Sequence, residues 1–488
     1  MQKIPQLKTY FDEIEETNGD DECRAWLDKV FDAKAELATF VASRRKGGPA
    51  TEYVGFLKGS FNFSFRFRFG DGGPDAIIRF PKPGHTATAL RDEKVANEAL
   101  VMEYISQNTT IPVPHIHSWG LTAESPQKFG PFIIMDFVEG TLLSTVLKQP
   151  TKSDQEDPIL NPDIDTKALD TIHLQIASYI LQLSQLPFTR IGAISKEHGS
   201  NSWSVTKRPL TYNMNELATV SGCPDDRFPK TTFNSTSDYL QSLAKQHLDH
   251  VWAQRNIADD PEIAQARFLA RRQFARLVPK CSTHDTGPFL LFCDDMRPSN
   301  MLVHPETLQI TAVLDFEFTN AMPAQFTYDP PWWLLLSGPE AWLDRGSIEE
   351  FRTLYTPRME QFLRALEQVE SASLSTGTEP TGPPLSSRMR DSWRDGGFWF
   401  NYAARKSFEL DAIYWAVLHH GSAEFSLQED VAEIDKFTQT KMAQLKAYKE
   451  ECDARLPKQA VENTCCLFAS NVCAKTKEGR VFLVWACG

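Results

Sequence analysis

The feature that most constrains the fold is a regular alternation of aromatic and polar side chains from Phe61 to Phe69. Every second residue is phenylalanine, and the residues between them are Asn62, Ser64, Arg66 and Arg68. Because successive side chains of a strand point to opposite faces, this pattern predicts a half-buried β-strand. The turn sequence DGGP and the apolar segment AIIRF follow, so we expect an antiparallel hairpin.

Helical patterns lie on both sides of this hairpin. Residues 8–44 are rich in helix formers, and the segment KGGPA stops the pattern. After the hairpin, DEKVANEALVMEYISQ places Val95, Glu98, Met102 and Ile105 on one helical stripe. A carboxylate on an apolar stripe is costly without a cation, so Glu98 predicts a basic partner on the neighbouring sheet. The alternative is that Glu98 lies on a solvated helix face.

The remainder of the chain is mainly helical. A strand in FGPFIIMDFVEG closes a small lobe near residue 139, and strand, polar loop, strand, turn and strand are predicted between Pro288 and Phe318. Two polar segments, KQPTKSDQEDPILNPD and SASLSTGTEPTGPPLSS, interrupt the helices. We predict an extension at 1–48, a small lobe at 49–139, a helical lobe at 140–450 and a tail at 451–488.

Composition excludes several classes of partner. The chain has 51 basic and 64 acidic residues and a formal net charge of -13, so we expect no general attraction to nucleic acid or to an anionic membrane. No apolar run approaches the roughly 20 residues of a membrane span, and the first turns are acidic. Nine cysteines suit reduced thiols, and the four in the tail lack the spacing of a zinc site. We therefore expect a cytoplasmic protein.

Acidic side chains and an amide cluster in the predicted β segment. Asp295 and Asn300 lie in the polar loop, and Asp315 and Glu317 lie where the last strand ends. Carboxylate and amide oxygens are ligands that Mg²⁺ accepts alongside water and phosphates, and a carboxylate can also accept a hydroxyl proton. The alternative is that these residues cap the turns of a β-hairpin.

The motifs CDDMRPSNMLV and VLDFEF resemble the catalytic and metal loops of the aminoglycoside phosphotransferase-like family, in which HGDLHPGNILV and IDFE are typical. The later segments DPPWWLL and MRDSWRDGGFWFNYAARKSFELDAIYW are similar to fungal members. The resemblance spans about residues 50 to 420. It implies an α+β, protein-kinase-like fold with two lobes, which binds ATP and Mg²⁺ between them. It also implies that Asp295 is the catalytic aspartate, that Asn300 and Asp315 hold metal, and that Glu317 is an accessory acidic group.

The same resemblance gives roles to upstream residues. A loop covering the ATP phosphates would comprise Gly59, Ser60, Phe61 and Asn62. Arg79 stands where a lysine usually meets the α- and β-phosphates, and Glu98 would be its partner. Backbone groups of Asp136 to Val138 would meet adenine. The alternatives are a plain turn for the loop and a surface cation at the strand end for Arg79.

Two residues depart from the family pattern, because Cys293 and Asp294 replace the usual histidine and glycine. They leave open a catalytically impaired, pseudokinase-type binding protein. A Ser/Thr protein kinase is disfavoured, because no A-P-E element follows Asp315. We expect a small-molecule kinase acting on a hydroxyl group. Acidic residues among the C-terminal helices would suit a cationic acceptor, and the residues considered for its pocket are Trp393, Phe398, Trp399, Tyr402 and Asp411.

Overall fold

The computed structural model describes residues 7, 10–150, 158–197, 202–345, 347–374, 382–419 and 427–456. Parts of both predicted polar insertions and the four tail cysteines lie outside these residues. The chain folds into a small lobe built on an antiparallel sheet and a large, mainly helical lobe. The α+β, two-lobed fold class is therefore confirmed, whereas the predicted domain boundaries stay predictions.

The small lobe begins with two helices and is completed by a sheet and one further helix. The helices are α1 (Glu13–Asp32), α2 (Lys34–Arg45) and α3 (Arg91–Asn108). The strands are β1 (Ala50–Lys58), β2 (Asn62–Phe69), β3 (Ala76–Pro81), β4 (Ile116–Gly120) and β5 (Phe132–Asp136). They form one sheet in the order β1-β2-β3-β5-β4, and every neighbouring pair is antiparallel.

The alternation in β2 determines which face of this sheet is buried against the helices. Phe63, Phe65, Phe67 and Phe69 are buried against α1 and α2, as the pattern predicts. Phe61 differs, because it precedes the strand and its ring contacts Tyr212 and Phe318. The polar residues Asn62 and Ser64 lie on the opposite side, toward the large lobe. One strand was missed: β1 is an edge strand whose register shifts near Tyr53 and Gly55, which removes the alternation.

The large lobe combines helices with short strands. Its helices are α4 (Leu143–Leu147), α5 (Thr166–Ser184), α6 (Tyr212–Val220), α7 (Thr236–Ala253), α8 (Pro261–Cys281), α9 (Ala324–Thr327), α10 (Pro339–Arg345), α11 (Ile348–Leu374), α12 (Leu385–Asp395), α13 (Gly397–Arg405), α14 (Leu410–Ile413) and α15 (Leu427–Arg455). Its strands are β6 (Thr141–Leu142), β7 (Pro187–Phe188), β8 (Ala193–Lys196), β9 (Trp203–Lys207), β10 (Phe289–Phe292), β11 (Met301–Val303), β12 (Ile310–Val313) and β13 (Asn320–Pro323). None of the helices in the described ranges combines the length and apolar character needed to cross a bilayer.

The hairpin of β11 and β12 brings distant polar residues together. Met301 pairs with Val313, and the Leu314 amide donates to the Asn300 carbonyl at 2.8 Å. The sequence predicted that the last strand ends on Asp315. It ends two residues earlier, because Asp315 adopts a left-handed backbone conformation with φ 59°, which a strand cannot accommodate.

A buried polar network holds the large lobe together beneath the α13–α14 connection. Asp411 is fully buried and accepts hydrogen bonds at 2.8 Å from both Arg267 and Arg271. Beside them, His247 Nε2 donates to the Ala404 carbonyl at 3.1 Å, so its Nδ1 accepts from a serine hydroxyl. Burial, followed by the charge of Arg271, lowers the pKa of His247 to about 3. The fold therefore needs this imidazole neutral.

We expect acid to destabilise the protein through His247. The unfolded imidazole takes up a proton below about pH 6.5 while the folded one stays neutral, so stability present above that pH is lost as pH falls toward 3. Each such histidine lowers the free energy of unfolding by about 1.4 kcal/mol for every pH unit in this range. From pH 7.5 to pH 5, the free energy of unfolding measured with urea should fall by about 2 kcal/mol less in His247→Gln than in the wild-type protein. Exposed His304→Gln is the control, and an equal loss in all three proteins would contradict this account.

Candidate active site

A cleft between the lobes gathers most residues singled out from the sequence. The lining includes each residue proposed for the phosphate loop, together with Arg79, Asp136, Val138, Asp295, Asn300, Asp315 and Glu317. The polar face of β2 and the end of β5 form its upper wall, and the loops after β10 and β12 form its floor. Glu98 lies behind the cleft on α3 and reaches it through Arg79.

The loop after β10 positions Asp295. Asn300 donates through Nδ2 to the Asp295 carbonyl at 2.9 Å and to its carboxylate Oδ2 at 2.7 Å. Arg297, which the sequence analysis did not single out, lies 2.7 Å from Asp295 Oδ1. Burial raises the pKa of Asp295 above its ordinary value, although Arg297 and Lys406 favour the charged form. The side chain still keeps 37% of its exposure, so the carboxylate is accessible to a ligand.

Arg79 lies between two carboxylates. It forms the predicted ion pair with Glu98, which is 1% exposed, and its Nη1 lies 2.5 Å from Asp315 Oδ1. The alternatives of a solvated Glu98 and a surface Arg79 are therefore wrong. Burial raises the pKa of Asp315 to about 7, against the opposing charge of Arg79. The strained backbone of Asp315 and its buried partner hold its carboxylate at the cleft floor.

Glu317 has a different cation. Lys94 Nζ lies 2.6 Å from Glu317 Oε2, and Asn62 donates through Nδ2 to the same oxygen at 2.7 Å. Burial opposes the charge of Glu317, but Lys94 and Arg79 outweigh it and hold the pKa below its ordinary value. The sequence analysis missed Lys94. It precedes Glu98 by one helical turn, and this spacing on the same face was the available signal.

The oxygen atoms of this floor fit a hard divalent cation. One carboxylate oxygen from each of Glu98, Asp315 and Glu317 lies within 4.8 Å of the other two. The Asn300 amide, which is 1% exposed, lies next to them in the same cleft lining. Such a set of oxygen donors suits Mg²⁺, which takes few protein ligands and completes its shell with water and phosphates.

The inner end of the cleft is apolar. Leu57, Ile77, Met135, Leu302 and Leu314 line it, and the segment after β5 forms its edge. Two amides at this edge are already used, because that of Asp136 donates to the His115 carbonyl at 3.0 Å and that of Phe137 to the Asp75 carbonyl at 2.7 Å. Of the amides predicted to meet adenine, Val138 is therefore the better candidate.

The Gly59–Asn62 loop is a tight turn between β1 and β2, rather than the start of the first strand. The Gly59 amide donates to the Asn62 carbonyl at 3.0 Å, so it closes the turn and is not available to a ligand. The Phe61 carbonyl accepts from the Lys82 amide at 2.7 Å. The loop therefore covers the cleft in a defined position above Asp315 and Glu317.

The two departures at Cys293 and Asp294 are accommodated by neighbouring residues. Asp294 forms an ion pair with Arg405, which is only 8% exposed, and its carbonyl accepts from Trp332 Nε1 at 3.2 Å. Burial raises the pKa of the Cys293 thiol to about 12, so the sulfur is protonated at neutral pH. The added carboxylate at position 294 is therefore paired with Arg405.

A second group of charges lies beyond Asp295, on the large-lobe side. Lys406 stands over the Tyr212 ring at 4.7 Å and interacts with the charges of Asp294, Glu409, Glu216 and Glu340. Burial raises the pKa of Glu216 to about 7 and, with the neighbouring carboxylates, that of Glu409 to about 8. Lys406, Glu216, Glu340 and Glu409 were not found from the sequence, because they come from three separate parts of the chain, namely α6, α10 and the α13–α14 connection.

The residues considered for an acceptor pocket lie elsewhere. Asp411 is fully buried and paired with two arginines, so the expectation that it lines the pocket is wrong. Phe398, Trp399 and Tyr402 are also buried and pack in the helical core. The Tyr402 hydroxyl donates a hydrogen bond to Glu340 Oε2 at 2.6 Å, so Tyr402 reaches the group of charges beyond Asp295 through this hydroxyl.

Comparison with known proteins finds similar proteins both by sequence and by structure. Clavilactone A biosynthesis cluster protein Y of Ampulloclitocybe clavipes is 26% identical over 273 residues, which are 54% of this chain and 60% of that protein. The chain thus spans less than two thirds of the curated relative that it matches.

Solved structures with similar architecture have low sequence identity. A thermostable mutant of aminoglycoside phosphotransferase APH(4)-Ia, in complex with AMP-PNP and hygromycin B, is 14% identical with a TM-score of 0.39, covering 79% of this chain and 99% of that chain. Ethanolamine kinase of Plasmodium vivax is 12% identical with a TM-score of 0.37, covering 82% and 81%.

The family model described as the phosphotransferase enzyme family matches residues 56–366, which is more than half of the chain. This range begins in β1 and ends in α11, so it includes the whole cleft described above. The chain therefore belongs to the phosphotransferase enzyme family.

Proposed function

We propose that the protein transfers the γ-phosphoryl group of ATP, with Mg²⁺, to a hydroxyl group of a small molecule. The observation that carries this proposal is the placement of Asp295, Asn300 and Asp315 on one cleft floor, opposite a tight loop and a buried arginine. Phosphoryl transfer depends on positioning and electrostatic stabilisation more than on covalent catalysis, and this arrangement supplies both.

Each group has a separate task in this proposal. Asn300, Asp315 and Glu317 hold Mg²⁺, which would neutralise charge on the transferring phosphoryl group. Arg79 binds the α- and β-phosphates, and the apolar end with Val138 receives adenine. Asp295 orients the acceptor hydroxyl and takes its proton while the new O–P bond forms and the bond to the leaving ADP oxygen breaks. The raised pKa of Asp295 suits it to accept that proton.

The acceptor is proposed to carry an ammonium group. Glu216, Glu340 and Glu409 outnumber Lys406 in the region beyond Asp295, and burial together with their mutual proximity raises the pKa of Glu216 and of Glu409. A bound ammonium group would stabilise the ionised forms of these carboxylates, whereas a bound carboxylate would oppose them. The rings of Tyr212 and Trp332 already stand near the Lys406 ammonium, at 4.7 and 5.7 Å, and rings of this kind attract organic cations. An amine-bearing alcohol therefore fits the charge of this region better than an acidic one.

The metal site can be tested by calorimetric titration of ATP with and without Mg²⁺. We expect Mg²⁺-dependent binding in the wild-type protein and a loss of about tenfold or more in Asp315→Asn, because the variant lacks a charged ligand. Asp226→Asn, at an exposed carboxylate, should bind as wild type. Absence of nucleotide binding by the wild-type protein under both conditions would overturn the kinase proposal.

The catalytic role of Asp295 can be tested by its replacement with asparagine. Asparagine cannot accept the hydroxyl proton, so we expect acceptor-dependent ADP release to fall by about 10²–10⁴-fold. ATP affinity should change little, because Asp295 is not assigned to the nucleotide. The measurement is a coupled ADP assay together with nucleotide titration of the same preparation. Unchanged turnover would remove Asp295 from this role.

The acceptor class can be tested with a panel of alcohols that differ only in an amino, a neutral or a carboxyl substituent. We expect ADP release with the amino alcohols, and a KM for the acceptor about tenfold higher in Glu409→Gln, since the variant lacks a carboxyl group that a bound ammonium would ionise. Glu262→Gln, on the exposed first turn of α8, is the matched control. Preference for carboxylated alcohols would contradict the cationic acceptor while leaving the phosphotransfer proposal intact.

A further inference from the structure

Lys94 joins two loops that are far apart in sequence. It lies on α3 and is 1% exposed. Its Nζ is 2.6 Å from Glu317 Oε2 and 2.9 Å from Asn62 Oδ1, and Asn62 Nδ2 donates to the same Glu317 oxygen at 2.7 Å. The three side chains therefore form a closed triangle between the Gly59–Asn62 loop, the segment after β12 and the helix behind them.

The neighbouring residues on the same face of α3 contact the same region. Asn97 donates through Nδ2 to the Glu317 carbonyl at 3.3 Å and to the Thr319 carbonyl at 2.9 Å. Glu98 pairs with Arg79, which in turn pairs with Asp315. Residues 94, 97 and 98 are neighbours on a helix surface, so a single turn of α3 holds the whole floor segment.

Charge compensation alone does not explain the position of Lys94. A buried carboxylate needs a cation, and Lys94 supplies one to Glu317. The contact with Asn62 is additional, because Asn62 belongs to the loop on the opposite side of the cleft and carries no charge. Lys441 provides a contrast within the chain: it is also 1% exposed, but it donates to the Trp252 and Gln254 carbonyls far from the cleft.

We propose that Lys94 is a positioning residue that fixes the distance between the Gly59–Asn62 loop and the Asp315–Glu317 segment. Through this link, the loop above the phosphates and the floor that holds the metal form one rigid unit. Removing the ammonium leaves only the hydrogen bond from Asn62 Nδ2 to Glu317 Oε2 in this triangle, and it leaves the Glu317 carboxylate buried without its main partner. The inference rests on the proposed function, since the distance matters only if phosphates and a metal bind between the two segments.

The test compares Lys94→Met with wild type in two calorimetric titrations, one with Mg²⁺ and AMP-PNP and one with adenosine. Adenosine reports on the apolar end of the cleft and lacks phosphates. We expect affinity for the magnesium nucleotide to fall by at least about tenfold, a change that corresponds to 1.4 kcal/mol, while adenosine affinity changes less than about twofold. Lys94→Arg keeps the charge and should restore most of the lost affinity.

Two further variants distinguish a role of Lys94 in positioning the loop from a role in stabilising the fold. Lys441→Met removes another buried lysine and should lower the melting temperature without a selective loss of the magnesium nucleotide. Asn62→Leu removes the hydrogen bond between the loop and Lys94 but keeps the ion pair between Lys94 and Glu317. It should therefore give the same selective loss of affinity for the magnesium nucleotide, even if the Lys94→Met protein does not fold. Equal losses for both ligands, or unchanged affinities in Asn62→Leu, would overturn the inference. No binding of either ligand by the wild-type protein would overturn the proposed function, and the inference with it.

Discussion

The buried ion pairs around Arg79 are the interaction on which the rest of the cleft depends. Arg79 and Glu98 are 8% and 1% exposed, and neither charge is stable in that environment without its partner. Their pairing fixes α3 against the sheet, and the second contact of Arg79 fixes Asp315 beneath them. Together with Lys94, two cations face the carboxylates of Glu98, Asp315 and Glu317, and burial raises the pKa of Asp315 to about 7. A divalent cation bound beside Asp315 would stabilise its ionised form and add positive charge that suits a polyphosphate.

The loop that carries Asp295 shows how neighbouring segments can support an altered motif. A histidine before Asp295 would brace the loop by hydrogen bonding, and the chain has cysteine there. The bracing comes instead from Trp332, which donates to the Asp294 carbonyl, and from Asn300, which donates to that of Asp295. The extra charge of Asp294 is taken up by Arg405. Because the contacts of Trp332 and Arg405 come from segments after the motif, the motif alone overstated the departure from the family pattern.

Short-range patterns predicted part of the small lobe and the acidic cluster on the cleft floor. The alternation in β2 identified its buried face, and a single carboxylate on an apolar stripe predicted a basic partner for Glu98, which the family resemblance placed at Arg79. Edge strand β1 was missed, because its bulges remove the period of two. Asp411 was misassigned, because a lone aspartate among aromatic residues does not reveal the two arginines on α8 that bury it. The roles of Lys94 and Lys406 depend on contacts with segments more than a hundred residues away, which local periodicity does not reveal.

The two halves of the site are held by different physical means. The half proposed to bind nucleotide depends on α3 and on ion pairs between charged side chains of the small lobe and the floor. The half beyond Asp295 depends on the connection between α13 and α14, which carries Lys406 and Glu409. This connection is anchored by Arg271 through the Ser407 carbonyl and Asp411. The buried anchor lies outside the half proposed to bind nucleotide, so the two halves do not share their supporting contacts. Substitutions at distant sites with no shared partners are usually independent, so the charge of the proposed acceptor region is expected to vary while the residues proposed to hold phosphate and metal keep their positions.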